Sequence, residues 1–396
     1  MSQLFTVFAD DLSGAAEIGG TSLRYGLTSA ICVGNARPGG EQVSIRDLNT
    51  RSRAEEEVPS ILADALESNA PAASGRLYKK VDSVLRGHVL IELTELIQQT
   101  GRRRALLVPV NPALGRIIHQ GMYQINGVAI DKTEFRNDPQ YPIFTSEVYK
   151  MLRPRPDLLP VTVAALGERL SGTGVIVGEA KAPEDLREWA RRLDDDTLPA
   201  GGAAFFEAIL REDGHHERET TCVAPAGSQL LVSGSAAESS SVNIRRLRER
   251  GVPVLAMPDD VFEGEEIPSQ ALQPWIRETI TAVERSPLVA ITIGRPLSID
   301  RRRAPFLTAR LAGLVKSVLG SSSIAQIWIE GGETASAVVN AVGWHRLTVC
   351  GQIEGRVFQL VPEGASTPLL KLKPGSYPWP EEVPVLGAEP DGGKKG

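Results

Sequence analysis

A chain of 396 residues, 42% hydrophobic and 23% charged, is long enough for two cores, because single cores tend to stop growing near ~250–300 residues. Its 43 basic and 49 acidic side chains leave a net charge of −6, which gives no electrostatic footprint for a nucleic-acid partner. No apolar run approaches the ~20 residues of a spanning helix, and MSQLFTVFADD lacks a signal peptide's basic region, so a cytoplasmic protein with no membrane partner is expected.

LFTVFAD reads as a buried strand, and the small residues after it as a helix starting near Ser13. AICVG and ALLVPV are further short apolar runs bounded by turn residues, with the helical AEEEVPSILADALES between them. GVIVGEA reads as another strand, followed by helical APEDLREWARRL and GGAAFFEAIL. The polar, turn-rich stretch Arg211–Gly227 reads as a linker between an N-terminal domain over 1–215 and a C-terminal domain over 222–390. Beyond it the rhythm restarts with SQLLVSGSAAESS, GVPVLAMPDD, PLVAITIG and SIAQIWIEGGETASAVVNAVG, then several short strands over Leu347–Lys373. The polar tail EPDGGKKG is expected to be disordered. Short strands alternating with helices predict an α/β protein of two Rossmann-like, three-layer domains, with mostly parallel sheets around an interdomain cleft.

Polar clusters fall at the carboxyl ends of the expected N-terminal strands, where open α/β sheets bind ligands. They are Asp10, Asp11 and Ser13; Asp47, Asn49, Arg51 and Arg53; Lys79, Lys80, Asp82, Ser83 and Arg86; and Asn111, Arg116 and His119. Guanidinium forks suit a carboxylate. Aspartates accept from hydroxyls, and one of them can serve as a general base. Together these residue types suit a small polyhydroxylated anion. Singly, each also has a structural reading: Asp10 or Asp11 as a helix cap, Arg86 as a partner of Asp82.

Histidines occur in neither an HxxxH nor an HExxH arrangement, so no protein-bound metal site is expected. Cys32, Cys222 and Cys350 are isolated in the chain and read as buried reduced thiols rather than a disulfide framework.

In the second half the signal changes to glycines: Gly234 and Ser235 after one strand, Gly331, Gly332, Glu333 and Thr334 after another, and Lys373, Gly375 and Ser376 in a third loop. Such loops let backbone amides approach phosphates, and a helix N-terminus adds a favourable dipole. GxxxxGK[ST] and GxGxxG are both missing, which disfavours a P-loop ATPase and a dinucleotide dehydrogenase.

ADDLSGAAE resembles the opening motif of the four-carbon acid sugar kinase family. The resemblance continues in order: Lys80, Asp82, Ser83, Leu85, Arg86 and Gly87; then Pro109, Pro112, Gly115, Arg116, Gly121, Asn126 and Gly127; then Asp138, Pro139, Pro142 and Ser146. In the second half SGSAA, GGETASAVV and LKPGSY match the family's three glycine loops. Val84 and Pro374 depart from it, standing where threonine and serine or threonine are usual.

The resemblance implies an ATP-dependent kinase with Mg2+, acting on a sugar acid such as threonate, erythronate or 3-oxo-tetronate. It places the acid on the first domain, ATP on the glycine loops and transfer across the cleft. Asp10, Asp11 or Asp82 would then orient the hydroxyl and take its proton. Ser13, Asn49, Arg51, Arg53, Lys80, Ser83, Arg86, Asn111 and Arg116 would bind the acid. A homodimer is compatible with the sequence and not required by it. The two departures motivate an alternative, a non-catalytic sensor of sugar acid or nucleotide.

Overall fold

The computed structural model describes residues 2–69, 75–138, 141–168, 170–220, 222–234, 238–264, 271–295, 303–354, 357–365, 367–375 and 379. The chain divides into two compact units, Met1–Glu219 and Thr220–Gly396.

The first unit opens on β1 (Phe5–Ala9), whose five residues are all buried, as a strand covered on both faces requires. It continues with α1 (Leu12–Arg24), β2 (Ser29–Val33), β3 (Val43–Asp47), α2 (Val58–Asn69), β4 (Arg76–Lys80), α3 (Val89–Thr100) and β5 (Arg104–Val108). A small antiparallel sheet follows, made of β6 (Arg116–His119), β7 (Met122–Ile125) and β8 (Val128–Ala129). Next come α4 (Val148–Met151), β9 (Val161–Ala164), β10 (Gly174–Gly178), α5 (Pro183–Ala190), β11 (Thr197–Gly201) and α6 (Ala203–Glu212).

The main sheet runs β2-β3-β1-β4-β11-β5-β10-β9, with every pair parallel. The chain winds from β1 outward to β2 and β3, then returns to the other side for β4, which makes β1/β4 the switch point, the position at which open α/β sheets bind ligands. Register fixes what lines it. Ala9 lies opposite Asp47 on one side and Lys80 on the other, so Asp10, Asp47 and Asp82 emerge at the same edge.

The small sheet was not anticipated from sequence. Two tight turns make it: Gln120–Gly121 (φ 50° and 72°) and Asn126–Gly127 (φ 50° and 77°). Positive φ at both central residues marks the hairpin turn that matches strand twist.

The second unit comprises β12 (Gln229–Ser233), α7 (Glu238–Glu249), β13 (Val254–Ala256), α8 (Asp259–Glu263), α9 (Gln273–Arg285), β14 (Leu288–Thr292), α10 (Ala304–Ser321), β15 (Gln326–Glu330), α11 (Gly332–Val342), β16 (Arg346–Ile353), β17 (Val357–Pro362) and β18 (Leu369–Lys373). Its order is β13-β14-β12-β15-β18-β17-β16, parallel up to β18, with β17 and β16 antiparallel. Here β12/β15 is the switch point, where Ser233 lies opposite Glu330, and Glu330 opposite Lys373. Both units are therefore α/β with mostly parallel sheets. No helix among the described residues is long and apolar enough to cross a membrane.

Candidate active site

At the first switch point a single guanidinium organises three carboxylates. Arg51 donates from Nε (2.9 Å) and Nη2 (2.7 Å) to Asp10 Oδ2, and from Nη1 to Asp11 Oδ2 at 2.9 Å. Its Nη2 lies 3.7 Å from Asp82 Oδ1. The Arg51 backbone is fixed on both sides, with its N–H donating to the Asp10 carbonyl at 3.2 Å and its carbonyl accepting from the Tyr141 hydroxyl.

The three acids differ in what remains free. Asp11 is the N-cap of α1: Oδ1 accepts from the Gly14 amide at 2.8 Å, and Oδ2 accepts from Ser13 and Arg51. Burial alone would raise its pKa, but Arg51 and Lys80, with the Ser13 and Gly14 hydrogen bonds, hold it below the usual value.

Asp82 is gripped from the side by Arg86, Nε to Oδ2 at 2.8 Å and Nη2 to Oδ1 at 2.9 Å, a two-pronged pair. Against the effect of burial, Arg86 and Arg51 hold its carboxyl well below the carboxylate range. Asp10 is 2% exposed, and its Oδ1 meets no hydrogen-bond partner among the described residues. A buried carboxylate oxygen left without a donor costs free energy unless a ligand supplies one.

Other anticipated residues surround this centre. Lys80 is buried, with Nζ 3.2 Å from Glu17 Oε2 and donating to the Val81 carbonyl at 3.0 Å. Arg116 donates to Ser83 Oγ at 2.6 Å, and the guanidiniums of Arg86 and Arg116 lie 5.7 and 5.9 Å from the Phe135 ring centroid. Asn111 and Arg116 form an isolated antiparallel bridge. Asn49 takes a left-handed backbone (φ 50°), and its Oδ1 accepts from Ser52 at 2.8 Å. Arg53 is exposed and stands apart from the carboxylates, contributing its carbonyl to a 2.9 Å contact with His88 Nε2.

Three further residues, none given a catalytic or binding role by the sequence, join this centre. Asp138 accepts from Arg86 Nη1 at 2.9 Å, and Tyr141 holds the Arg51 carbonyl. Asp47 is 6% exposed, and its Oδ2 has no hydrogen-bond partner among the described residues. Burial, with the charges of Asp11 and Asp10, pushes its carboxyl up to about 7.

Because the folded value lies above the unfolded one, the native state binds the extra proton between about pH 4 and 7, and stability falls as pH rises through that window. Asp47→Asn is expected to remove a slope of up to ~1.4 kcal/mol per pH unit from denaturant melts there. An unchanged pH profile would contradict the assignment.

In the second unit, Gly331 (φ 94°) precedes α11, and no side chain among the described residues caps that helix at Gly331. Gly234 faces this turn so closely that a Cβ there would run into Thr334 Oγ1. Gly375 approaches from the third loop, where its Cβ would lie 3.9 Å from the Gly331 Cα. Gly332 and Glu333 occupy the first turn of α11.

Beneath these loops Lys373 and Glu330 form an ion pair at 3.1 Å, 1% and 3% exposed, with Ser233 donating to Glu330 at 2.9 Å. Lys373 therefore braces the loops from below. Ser235 and Ser376, like Pro139, lie outside the described residues. A glycine-rich turn at a helix N-terminus, with Gly234 set close against Thr334, fits a phosphate group. Among the described residues no group of three or more His, Cys, Asp and Glu side chains is placed to hold a metal.

The chain is thus a two-unit α/β protein with a cluster of acids and arginines at the switch point of one unit and a set of glycine loops at that of the other. Residues 5–209 match the model of a sugar-binding N-terminal domain, and residues 230–377 that of a nucleotide-binding C-terminal domain. The chain belongs to the four-carbon acid sugar kinase family, and it is a kinase.

Relatives include a D-threonate kinase of Cupriavidus necator, 28% identical over 88% of each chain. A D-threonate kinase of Salmonella typhimurium is 25% identical over 85% of this chain and 86% of its own. A 3-oxo-tetronate kinase of Pseudomonas savastanoi is 23% identical over 94% of each. The fold recurs in a solved Salmonella typhimurium protein with TM-score 0.75 at 18% identity, covering 95% of this chain and 96% of that one.

Proposed function

We propose that the protein transfers the γ-phosphoryl group of ATP to a hydroxyl of a four-carbon sugar acid such as threonate, erythronate or 3-oxo-tetronate, in the cytoplasm. The observation that carries this reading is the Asp10 carboxylate. Arg51 fixes one oxygen, and the other is buried with no partner among the described residues. A substrate hydroxyl supplies the missing donor, and Asp10 then orients it and takes its proton. Asp11 and Asp82 have both oxygens engaged and serve to hold Arg51 and Arg86 in place.

Arg116 uses Nη1 on Ser83, and we assign its remaining donors, with Asn111 and Ser83, to the acid's carboxylate. Arg86 is already engaged by Asp82 and Asp138, so its part is positioning. Gly234, Gly331, Gly332, Thr334 and Gly375 would receive the nucleotide phosphates, with Glu333 at the same turn and Lys373 supporting from below. ATP would supply the phosphoryl group, and Mg2+ bound to its phosphates would neutralise their charge.

Support comes from the nucleotide-binding match over 230–377 and the kinase names of the relatives. A test is ADP release in the presence of Mg2+ and a panel of four-carbon acids, paired with thermal shifts by ATP and NAD(P). Acid-dependent ADP release and stabilisation by ATP are expected. Stabilisation by NAD(P) alone would overturn the reading. Gly234→Ala, by crowding Thr334, is expected to raise KM for ATP roughly tenfold, a loss of ~1.4 kcal/mol, without changing KM for the acid.

A further inference from the structure

Cys222 and Cys350 are 128 positions apart, yet their sulfurs lie 2.7 Å from each other, and both side chains are half-buried. Two features of the fold build this contact. Along β16 the pairing with β17 runs Val349 to Leu360 and then Gly351 to Gln359, which leaves Cys350 as the extra residue of a bulge. A bulge re-aims the side chain it carries. Next to it, a Cβ added to Gly351 would stand 2.5 Å from the Cys222 Cβ, so only glycine lets Cys222 come this close.

A cation completes the cluster. Lys371 lies opposite Gln359 on the neighbouring strand and interacts electrostatically with both thiols, while its ammonium stands 4.0 Å over the Trp328 ring. Positive charge beside a thiol favours the thiolate that reacts.

We propose that Cys222 and Cys350 form an oxidant-reactive dithiol that closes reversibly to a disulfide, fastening the segment at the start of the second unit to the β16 bulge. With a peroxide as oxidant, the Cys222 thiolate attacks one peroxide oxygen, the O–O bond breaks, and a sulfenic acid forms as the other oxygen leaves as water. The Cys350 sulfur then attacks the sulfenic sulfur, the S–O bond breaks, and a second water leaves. Two thiols and one peroxide thus give one disulfide and two waters.

Burial and the adjacent Cys222 push the Cys350 thiol up to about 12, which leaves Cys222 as the sulfur that meets the oxidant first. The Cys350 proton leaves with the sulfenic oxygen in the second water. In a reducing compartment such pairs persist as dithiols and close only transiently.

The test treats the full-length native protein with hydrogen peroxide, then denatures it, alkylates it and maps the peptides by mass. Reactive thiols are expected to fall from three to one, with Cys32 still alkylated and one peptide linking Cys222 to Cys350. Dithiothreitol should restore all three. In Cys350→Ser, peroxide should give no linked peptide and leave a sulfenic acid at Cys222 that dimedone captures. Three free thiols after oxidation of the unmutated protein, or loss of thiols without the 222–350 link, would overturn the proposal.

Discussion

Asp10→Asn is expected to lower kcat by about 10²–10⁴-fold while ATP binding and the fold persist. The substitution is nearly isosteric. The amide oxygen of an asparagine can still accept from Arg51 Nε and Nη2, which now contact Asp10 Oδ2 at 2.9 and 2.7 Å. What changes is the other position, the oxygen with no partner among the described residues, which becomes an N–H group unable to accept a proton. Loss confined to kcat, with the ATP-induced thermal shift retained, separates this effect from misfolding. A variant within a few-fold of the unmutated kcat would remove Asp10 from the chemistry.

Arg51→Ala is expected to carry the largest stability cost at this site, about 3–5 kcal/mol, because it leaves buried carboxylates without their shared cation. The pH dependence gives the sign. In the native protein Asp11 and Asp82 are held below their unfolded values, so their contribution is present above about pH 4 and is lost as pH falls through the depressed folded values. Without Arg51 those carboxyls shift upward and repel one another when ionised. The deficit should therefore be greatest near pH 8 and shrink toward pH 5 in urea melts. A deficit that is equal at both values would mean that only packing was lost.

Much of the architecture was legible because many of the parallel strands are short and wholly buried. FTVFA, RALLV and GVIVG have no exposed residue, and each stands out as an apolar run bounded by polar turns. The polar clusters were legible for a related reason: a charged residue directly after such a run has few structural explanations.

What could not be read was pairing. Nothing in ADDLSG distinguishes Asp11, whose extended backbone and Gly14 contact make it a cap, from Asp10, whose second oxygen is left open. Asp47 was visible in DLNTRSR, but its importance comes from the β1–β3 register that sets it beside Asp10 and Asp11. The β6–β8 sheet was missed although Asn126–Gly127 is a strong hairpin signal, because its strands are only two to four residues long. In the sequence the three cysteines read as unrelated thiols. A contact across 128 positions, made by a bulge and a glycine, leaves no local trace.

Phosphorylation of a four-carbon acid through Asp10 is the reaction proposed for this site. Its most direct test is the mass of the acid recovered after incubation with ATP, Mg2+ and either the unmutated protein or Asp10→Asn. One added phosphoryl group per acid, matched by ADP, is expected with the unmutated protein and almost none with the variant. Saturable binding of acid and ATP with no phosphorylated acid across the panel would contradict it and leave a sensor in place of the kinase.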